Sequence, residues 1–184
     1  IWRKETEREI VEAAVEGVRQ ALLPVARVFV DRREDKTPGW KFNEWELKGV
    51  PVRLEIGPRD VAADQVTIVR RDTGVKQPLP VASLASVMPD LLADIQADLY
   101  AAAKRLLDDN TEAVMSYERL RERVAANAGF SRAWWCGSAD CEARVKAETH
   151  ATIRCIPFEQ PGGSGSCVVC GAASDVQAIF ARAY

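Results

Sequence analysis

The sequence predicts an α/β protein in two parts, an α/β domain over residues 1–110 and a smaller cysteine-bearing unit over 111–184. Three observations carry this. Short strand-like runs alternate with helical patterns through the first half. A long amphipathic helix closes that half. All five cysteines lie after residue 135.

The elements follow in order. The chain opens on Ile1 rather than Met, and Ile1 to Arg3 reads as the end of a strand entered midway, as in a fragment. Thr6-Glu7-Arg8-Glu9 fits the S/T-x-x-E capping pattern and starts a helix at Thr6. Ile10, Ala14, Val18, Ala21 and Leu22 continue it at helical spacing, and Leu23-Pro24 stops it. Val25 to Val30 is a short β-branched run, predicted as a strand. Residues 31–49 read as polar and turn-rich, with Trp40, Phe42 and Trp45 among them. Val50 to Ile56 alternates apolar and charged residues, a strand with one wet face, and Gly57-Pro58 ends it. Gln65 to Arg70 predicts another strand and Asp72-Thr73-Gly74 a turn. From Leu84 to Asp109 the helical stripe runs through Leu84, Val87, Met88, Leu91, Leu92, Ile95, Leu99 and Leu106. Pro89 in the first turn places the helix proper at that residue. A further helix spans Ser116 to Ala126 and ends at Gly129. The stretch at 161–166, PGGSGS, is a flexible loop.

Bulk properties exclude some functions. A net charge of −2 and a pI near 5.6 do not suit a general nucleic-acid coat. Residues 27–76 hold eleven Lys or Arg against nine Asp or Glu, too slight a surplus to argue RNA binding from charge alone. No apolar run approaches the roughly 18 residues of a membrane span. The charged residues at 3–9 do not read as a signal peptide.

The cysteines carry chemistry. Cys136 and Cys141 are spaced C-x4-C, and Cys167 and Cys170 are spaced C-x2-C. Two thiolate pairs from distant parts of a chain close a tetrahedral site with no open position, the mark of a structural zinc. Clustering without a secretory signal favours a metal in a reducing compartment over a disulfide scaffold. The competing reading is a redox C-x-x-C at Cys167 and Cys170, but such motifs open a helix in a βαβ unit. Cys155 sits in the apolar run Ala151 to Ile156 and is expected to be buried there, with substitution for another zinc ligand as its lesser alternative. His150, the single histidine, reads as structural, and without partners it makes no catalytic triad.

PGWKFNEWELKGVPVRLEIGPRD at 38–60, followed by RRDTGVK at 70–76, resembles the anticodon-binding domain of archaeal- and eukaryotic-type prolyl-tRNA synthetases. WWCGSADC, RCIPF, CVVCG and the terminal Ala183-Tyr184 resemble that family's zinc domain and C-terminal tyrosine. The resemblance covers essentially all 184 residues. It implies a class IIa anticodon-binding fold, a mixed β-sheet flanked by helices, followed by a small α/β zinc-binding domain. It implies a cytoplasmic ligase that joins proline to tRNA(Pro) with ATP and Mg²⁺. That chemistry belongs to a catalytic domain upstream, which is also the implied partner of this chain, and the whole enzyme would be a homodimer. No class II catalytic motif occurs here, so the chain alone should be non-catalytic. The terminal carboxylate of Tyr184 is implied to fold back toward the catalytic domain.

The same resemblance assigns the reading of the two guanines that end proline anticodons to Glu46, Arg53 and Lys76. A carboxylate accepts guanine N1–H and N2–H together, and Arg donates to O6 and N7. Arg59, Arg70 and Arg71 are candidate phosphate contacts, which position RNA without specifying its sequence. Each has a plainer alternative. Glu46 could pair with Lys41 or Lys48, Arg53 could be solvated on its strand, and Lys76 could be a solubilising charge. Structural ion pairs with Asp60 or Asp72 would occupy the three arginines. Trp40, Phe42 and Trp45 could stack on bases, with core packing the default, and Trp134 and Trp135 are expected to pack around the zinc knuckle. Two other functions remain at this stage: a free-standing anticodon-domain paralogue that binds RNA or a partner synthetase, and a zinc or thiol oxidoreductase.

Overall fold

The computed structural model describes Trp2 and residues 5–183, which form two compact units, Ile1–Ala101 and Ala102–Tyr184. The expected strand end at Ile1 and Arg3 and the terminal Tyr184 lie outside the described residues.

In the first unit, α1 (Glu5–Leu22) buries Val11, Val18 and Leu22. The helix begins one residue before Thr6, so Thr6 does not cap it, and Glu5 and Glu7 supply the acidic first turn. Ile10 is 60 % exposed; the apolar stripe runs one residue later, through Val11. Val25 to Val30 forms no strand. It alternates like one, with Ala26 and Val28 packed on the core and Phe29 exposed, but among the described residues no neighbouring backbone ladders with it. The segment read as a loop contains α2 (Pro38–Leu47), capped by the Thr37 hydroxyl, which accepts from the Trp40 amide. This helix buries none of its residues.

Three antiparallel strands follow: β1 (Val52–Glu55), β2 (Gln65–Arg70) and β3 (Lys76–Pro80), ordered β1-β2-β3 with α3 (Pro58–Ala62) after β1. The period of two sends Val66, Ile68, Val52, Leu54 and Leu79 to the core. A 3₁₀ turn at Val81–Ser83 leads into α4 (Leu84–Asp109), whose Leu84, Met88, Leu91 and Ile95 complete that core. The helix therefore starts at Leu84 rather than Pro89. Pro89 sits one turn in, where the amide it lacks would have met the Ala85 carbonyl.

Asp31 clamps the chain that enters α2. Its carboxylate accepts from the Arg33 amide at 3.2 Å, Arg33 Nε at 2.9 Å and Trp45 Nε1 at 2.9 Å. Arg33 Nη2 reaches on to Glu44 at 2.5 Å. The Arg33 guanidinium, then the Trp45 indole, hold the Asp31 carboxyl far below the usual carboxylate range against the opposing effect of burial. Trp40, Phe42 and Trp45 stay out of the core, contrary to their default. Trp40 is 46 % exposed, and the rings of Phe29 and Trp45 meet at 4.7 Å.

In the second unit, β4 (Thr111–Ala113), α5 (Tyr117–Ala125), β5 (Phe130–Trp134), α6 (Ala139–Thr149), β6 (Ala151–Cys155) and β9 (Gln177–Arg182) surround a core centred on Phe180, Leu120, Val145 and Ala178. The sheet order is β4-β5-β9-β6, and β4 pairs parallel with β5 while the other pairs are antiparallel. The expected α/β architecture with a mixed sheet flanked by helices is present; the first unit's ladder is antiparallel and the mixed sheet is this one. A two-stranded ribbon, β7 (Gly165–Ser166) with β8 (Ala173–Ser174), carries the second cysteine pair between its strands. Helix α5 turns off earlier than expected: Ala126 caps it and Asn127 takes φ 52°. Gly129, at φ +81°, serves a close approach. A Cβ there would collide with the Asn110 carbonyl, which accepts the Phe130 amide at 2.8 Å as β5 begins.

Gly129→Ala should destabilise the second unit by at least ~1 kcal/mol in urea unfolding, through the positive φ and the collision. Gly17→Ala, inside α1 with open space around it, should instead add about 0.4–1 kcal/mol. Because the Asp31 carboxyl is depressed in the fold, its stabilisation is present above the unfolded value of about 4 and is lost as pH falls through its folded value. Asp31→Asn should therefore be less stable than the parent by about 1–3 kcal/mol at pH 7. The gap should narrow as urea midpoints are followed down from pH 4 to pH 2.

Candidate functional site

The wet face of the first sheet gathers the charges. Strand register sets Arg53 opposite Val69 and Val69 opposite Lys76, so one row runs Arg53, Val69, Lys76. The next row on that face is Glu55, Thr67, Pro78. Helix α2 brings Glu46 to the same face. Arg53 Nη1 donates to Glu46 Oε1 at 2.5 Å and Arg53 Nε to Glu55 Oε1 at 3.0 Å. Lys76 Nζ donates to both Glu55 oxygens, at 3.1 and 3.3 Å. The Phe42 ring lies 4.0 Å under the Arg53 guanidinium. Four charges thus form one line, Glu46–Arg53–Glu55–Lys76, that sums to zero.

A small surface depression of about 10 Å³, room for about one water, adjoins the line, bordered by Trp45, Glu46, Val50, Arg53, Val69 and Arg71. Val69, only 4 % exposed, gives it an apolar floor. Among the described residues no hydrogen bond takes Arg53 Nη2 or Glu46 Oε2, which leaves donors and an acceptor of adjoining side chains without partners. That pairing complements the edge of a base carrying both N–H and carbonyl groups.

Glu46, Arg53 and Lys76 therefore come together, and Arg71 borders the same depression. Lys41 and Lys48 do not pair with Glu46; they turn to Asp31 at 3.8 Å and Glu44 at 2.8 Å. Arg59 is exposed on the first turn of α3. Its neighbour Asp60 instead accepts from the Gly57 amide and the Thr67 hydroxyl. Arg70 is held by Asp72 at 2.7 Å and Asp98 at 2.7 Å, carboxylates that raise its pKa above the ordinary arginine value. Sequence reasoning missed Glu55 and Val69. The wet-face alternation of β1 was the one signal for Glu55. The register that joins it to Lys76 is not written in any single strand.

In the second unit, Cys136 follows β5 and Cys141 lies in the first turn of α6, which Ser138 caps. Cys167 and Cys170 flank the turn after β7, where Gly171 takes φ +78°. The four sulfurs lie within 4.8 Å of one another. Cys136 and Cys141 are 3.6 Å apart, and Cys170 and Cys136 3.7 Å. Thiolates about 2.3 Å from one ion sit about 3.8 Å apart along a tetrahedron's edges, so this set could hold a metal ion. Burial pushes the Cys141 thiol up to about 12. Burial opposes ionisation of Cys167 too, but the Cys170 and Val169 amides overcome it and bring that thiol down to about 6.

The surroundings correct one expectation and agree with two. Cys155 is exposed, not buried, because β6 carries a bulge between Ile153 and Cys155; it stands outside the four-sulfur group. CVVC lies in a turn and opens no helix, unlike a redox pair. His150 is the exposed left-handed cap of α6, at φ 62°. Trp134 is buried with Gly165 so close that a Cβ would strike its ring, and Trp135 Nε1 donates to the Ser138 carbonyl at 3.3 Å.

Comparison with known proteins bears on both units. Residues 4–91 match the family described as "Anticodon binding domain", and residues 117–184 match "Prolyl-tRNA synthetase, C-terminal". A proline–tRNA ligase of Chloroflexus aurantiacus is 46 % identical over 187 residues, covering 100 % of this chain and 38 % of that protein. One from Natranaerobius thermophilus is 46 % identical over 180 residues, covering 97 % and 37 %. The crystal structure of prolyl-tRNA synthetase from Cryptosporidium parvum, complexed with L-proline and AMP, matches with a TM-score of 0.82 at 30 % identity. It covers 100 % of this chain and 38 % of that one. The chain thus spans well under half the length of these relatives. It carries the anticodon-binding domain and the C-terminal domain of the prolyl-tRNA synthetase family.

Proposed function

We propose that the chain reads the two adjacent guanines of the tRNA(Pro) anticodon on behalf of a proline–tRNA ligase. Residues 1–110, with the connecting helix, form the reading domain and 111–184 the zinc-binding domain. Proline activation, with ATP and Mg²⁺, belongs to the catalytic domain of the same cytoplasmic, dimeric enzyme, of the archaeal and eukaryotic type. The observation that carries the reading is the convergence of Glu46, Arg53 and Lys76, joined through Glu55, on one face of the first sheet.

In this reading Glu46 accepts guanine N1–H and N2–H, and Arg53 donates its free edge to O6 and N7. The Glu46–Arg53 pair keeps both groups satisfied until a base replaces their mutual bond. Lys76, tied to Glu55 yet with its side chain 54 % exposed, reaches the second base or its phosphate. Arg59 and Arg71, which have no ion-pair partner among the described residues, contact phosphates. Arg70, whose single charge is outweighed by Asp72 and Asp98, would have to release them to meet a phosphate.

The four thiolates hold zinc in a closed site that lends folding energy to the second unit and leaves no position for substrate. The four sulfurs, all supplied by turns and one helix start, support zinc over an oxygen-loving ion.

Glu46→Ala or Arg53→Ala should weaken binding of a tRNA(Pro) anticodon stem-loop by ~1–3 kcal/mol in titrations at fixed ionic strength. Unchanged affinity in both variants would remove the site assignment. Arg59→Ala and Arg71→Ala should weaken all loops alike and flatten the salt dependence by about one charge each. Elemental analysis should find one zinc per chain. Strong chelation should melt the region after residue 130 while the first 110 residues stay folded, read by amide exchange; retention of structure throughout would refute the structural role.

A further inference from the structure

Within the reading just proposed, the geometry points to Glu55 as a positioning residue that aims Arg53 and Lys76 at the anticodon without touching RNA itself. Its side chain is only 15 % exposed, against 46 % for Glu46 and 54 % for Lys76. Its Oε1 accepts from Arg53 Nε at 3.0 Å and from Lys76 Nζ at 3.1 Å, and its Oε2 accepts from Lys76 at 3.3 Å. One carboxylate therefore sets both cations, which stand on β1 and β3 with β2 between them.

Arg53 is held on three sides: Nε by Glu55, Nη1 by Glu46, and its face by Phe42. Glu46 lies on a helix that buries no residue, and it must release Arg53 to accept a base. At that moment Glu55 is the one carboxylate still fixing the guanidinium. Lys76 has no other acceptor among the described residues, so without Glu55 its long side chain would sweep freely.

Electrostatics separates this role from a simple contribution to affinity. A carboxylate beside RNA repels phosphate, so removing its charge should strengthen non-specific attraction. Loss of aim should weaken the base-specific part alone. Discrimination and total affinity are thus expected to move in opposite directions, which a merely structural residue would not cause.

The test uses the 184-residue chain and two anticodon stem-loops, one with the two guanines and one with adenines in their place, at one ionic strength. Glu55→Gln should bind the adenine loop as well as or better than the parent. Its preference for the guanine loop should fall about tenfold or more, the scale of one misplaced bidentate contact. In an Arg53→Ala background, Glu55→Gln should lower the preference far less, because one of the two groups it aims is gone. An unchanged preference in Glu55→Gln, beside a reduced one in Glu46→Ala, overturns the positioning role and leaves guanine reading standing. Equal weakening of both loops, or a lowered unfolding midpoint that accounts for the loss, also overturns it. If neither Glu46→Ala nor Glu55→Gln alters the preference, guanine reading itself falls.

Discussion

A line of alternating charge, Glu46–Arg53–Glu55–Lys76, crosses a helix and two strands, and the proposed guanine reading depends on its staying in register. Register comes from the pleat. A slip of one residue in β1 would send Arg53 and Glu55 into the core and Leu54 into water. The apolar face, Val66, Ile68 and Leu54 against Leu84 and Leu91, forbids that slip. Core packing on one side of the sheet therefore fixes polar geometry on the other. The line is also balanced: each of its cations has a carboxylate at hydrogen-bond distance, so the line itself carries no unpaired charge.

Helix α2 attaches to this sheet differently. It buries none of its residues and is tied down by polar contacts, with Asp31 gripping Arg33 and Trp45 and Arg33 gripping Glu44. Such contacts exchange with water and with ligands more readily than apolar packing does. A helix held this way suits a side chain that must change partner, as Glu46 would under the proposed guanine reading. The second unit solves the opposite problem. Its ribbon of two-residue strands carries a turn whose Val168 packs in the second core and whose Cys167 and Cys170 lie within 4.8 Å of Cys136 and Cys141 near the start of α6.

Legibility in the sequence followed the physics of each element. Helix α4 and strand β2 were readable because an apolar stripe or β-branched run marks their buried faces. Helix α2 was not, because a helix with no buried side leaves no stripe; only Thr37-Pro38 hinted at its cap. Helix α6 was hidden by its own chemistry: Cys141 and Val145 are its buried pair, and the cysteine drew attention to metal rather than period. Val25 to Val30 shows the converse, since strand-like alternation reports burial and not a hydrogen-bonded neighbour. At the site, the four clustered cysteines were legible from spacing, but the bulge that turns Cys155 outward was not. Glu46, Arg53 and Lys76 came from family resemblance, and Glu55 emerged only from the cross-strand register.

The central claim is that consecutive guanines are read on the wet face of the first sheet. A structure of the chain bound to a tRNA(Pro) anticodon stem-loop measures it most directly. The account requires a guanine edge within about 3 Å of the Glu46 carboxylate and the Arg53 guanidinium, with the Glu46–Arg53 bond opened and the Glu55 contacts kept. Guanines bound elsewhere on the chain, with the Glu46–Arg53 pair intact, would contradict it.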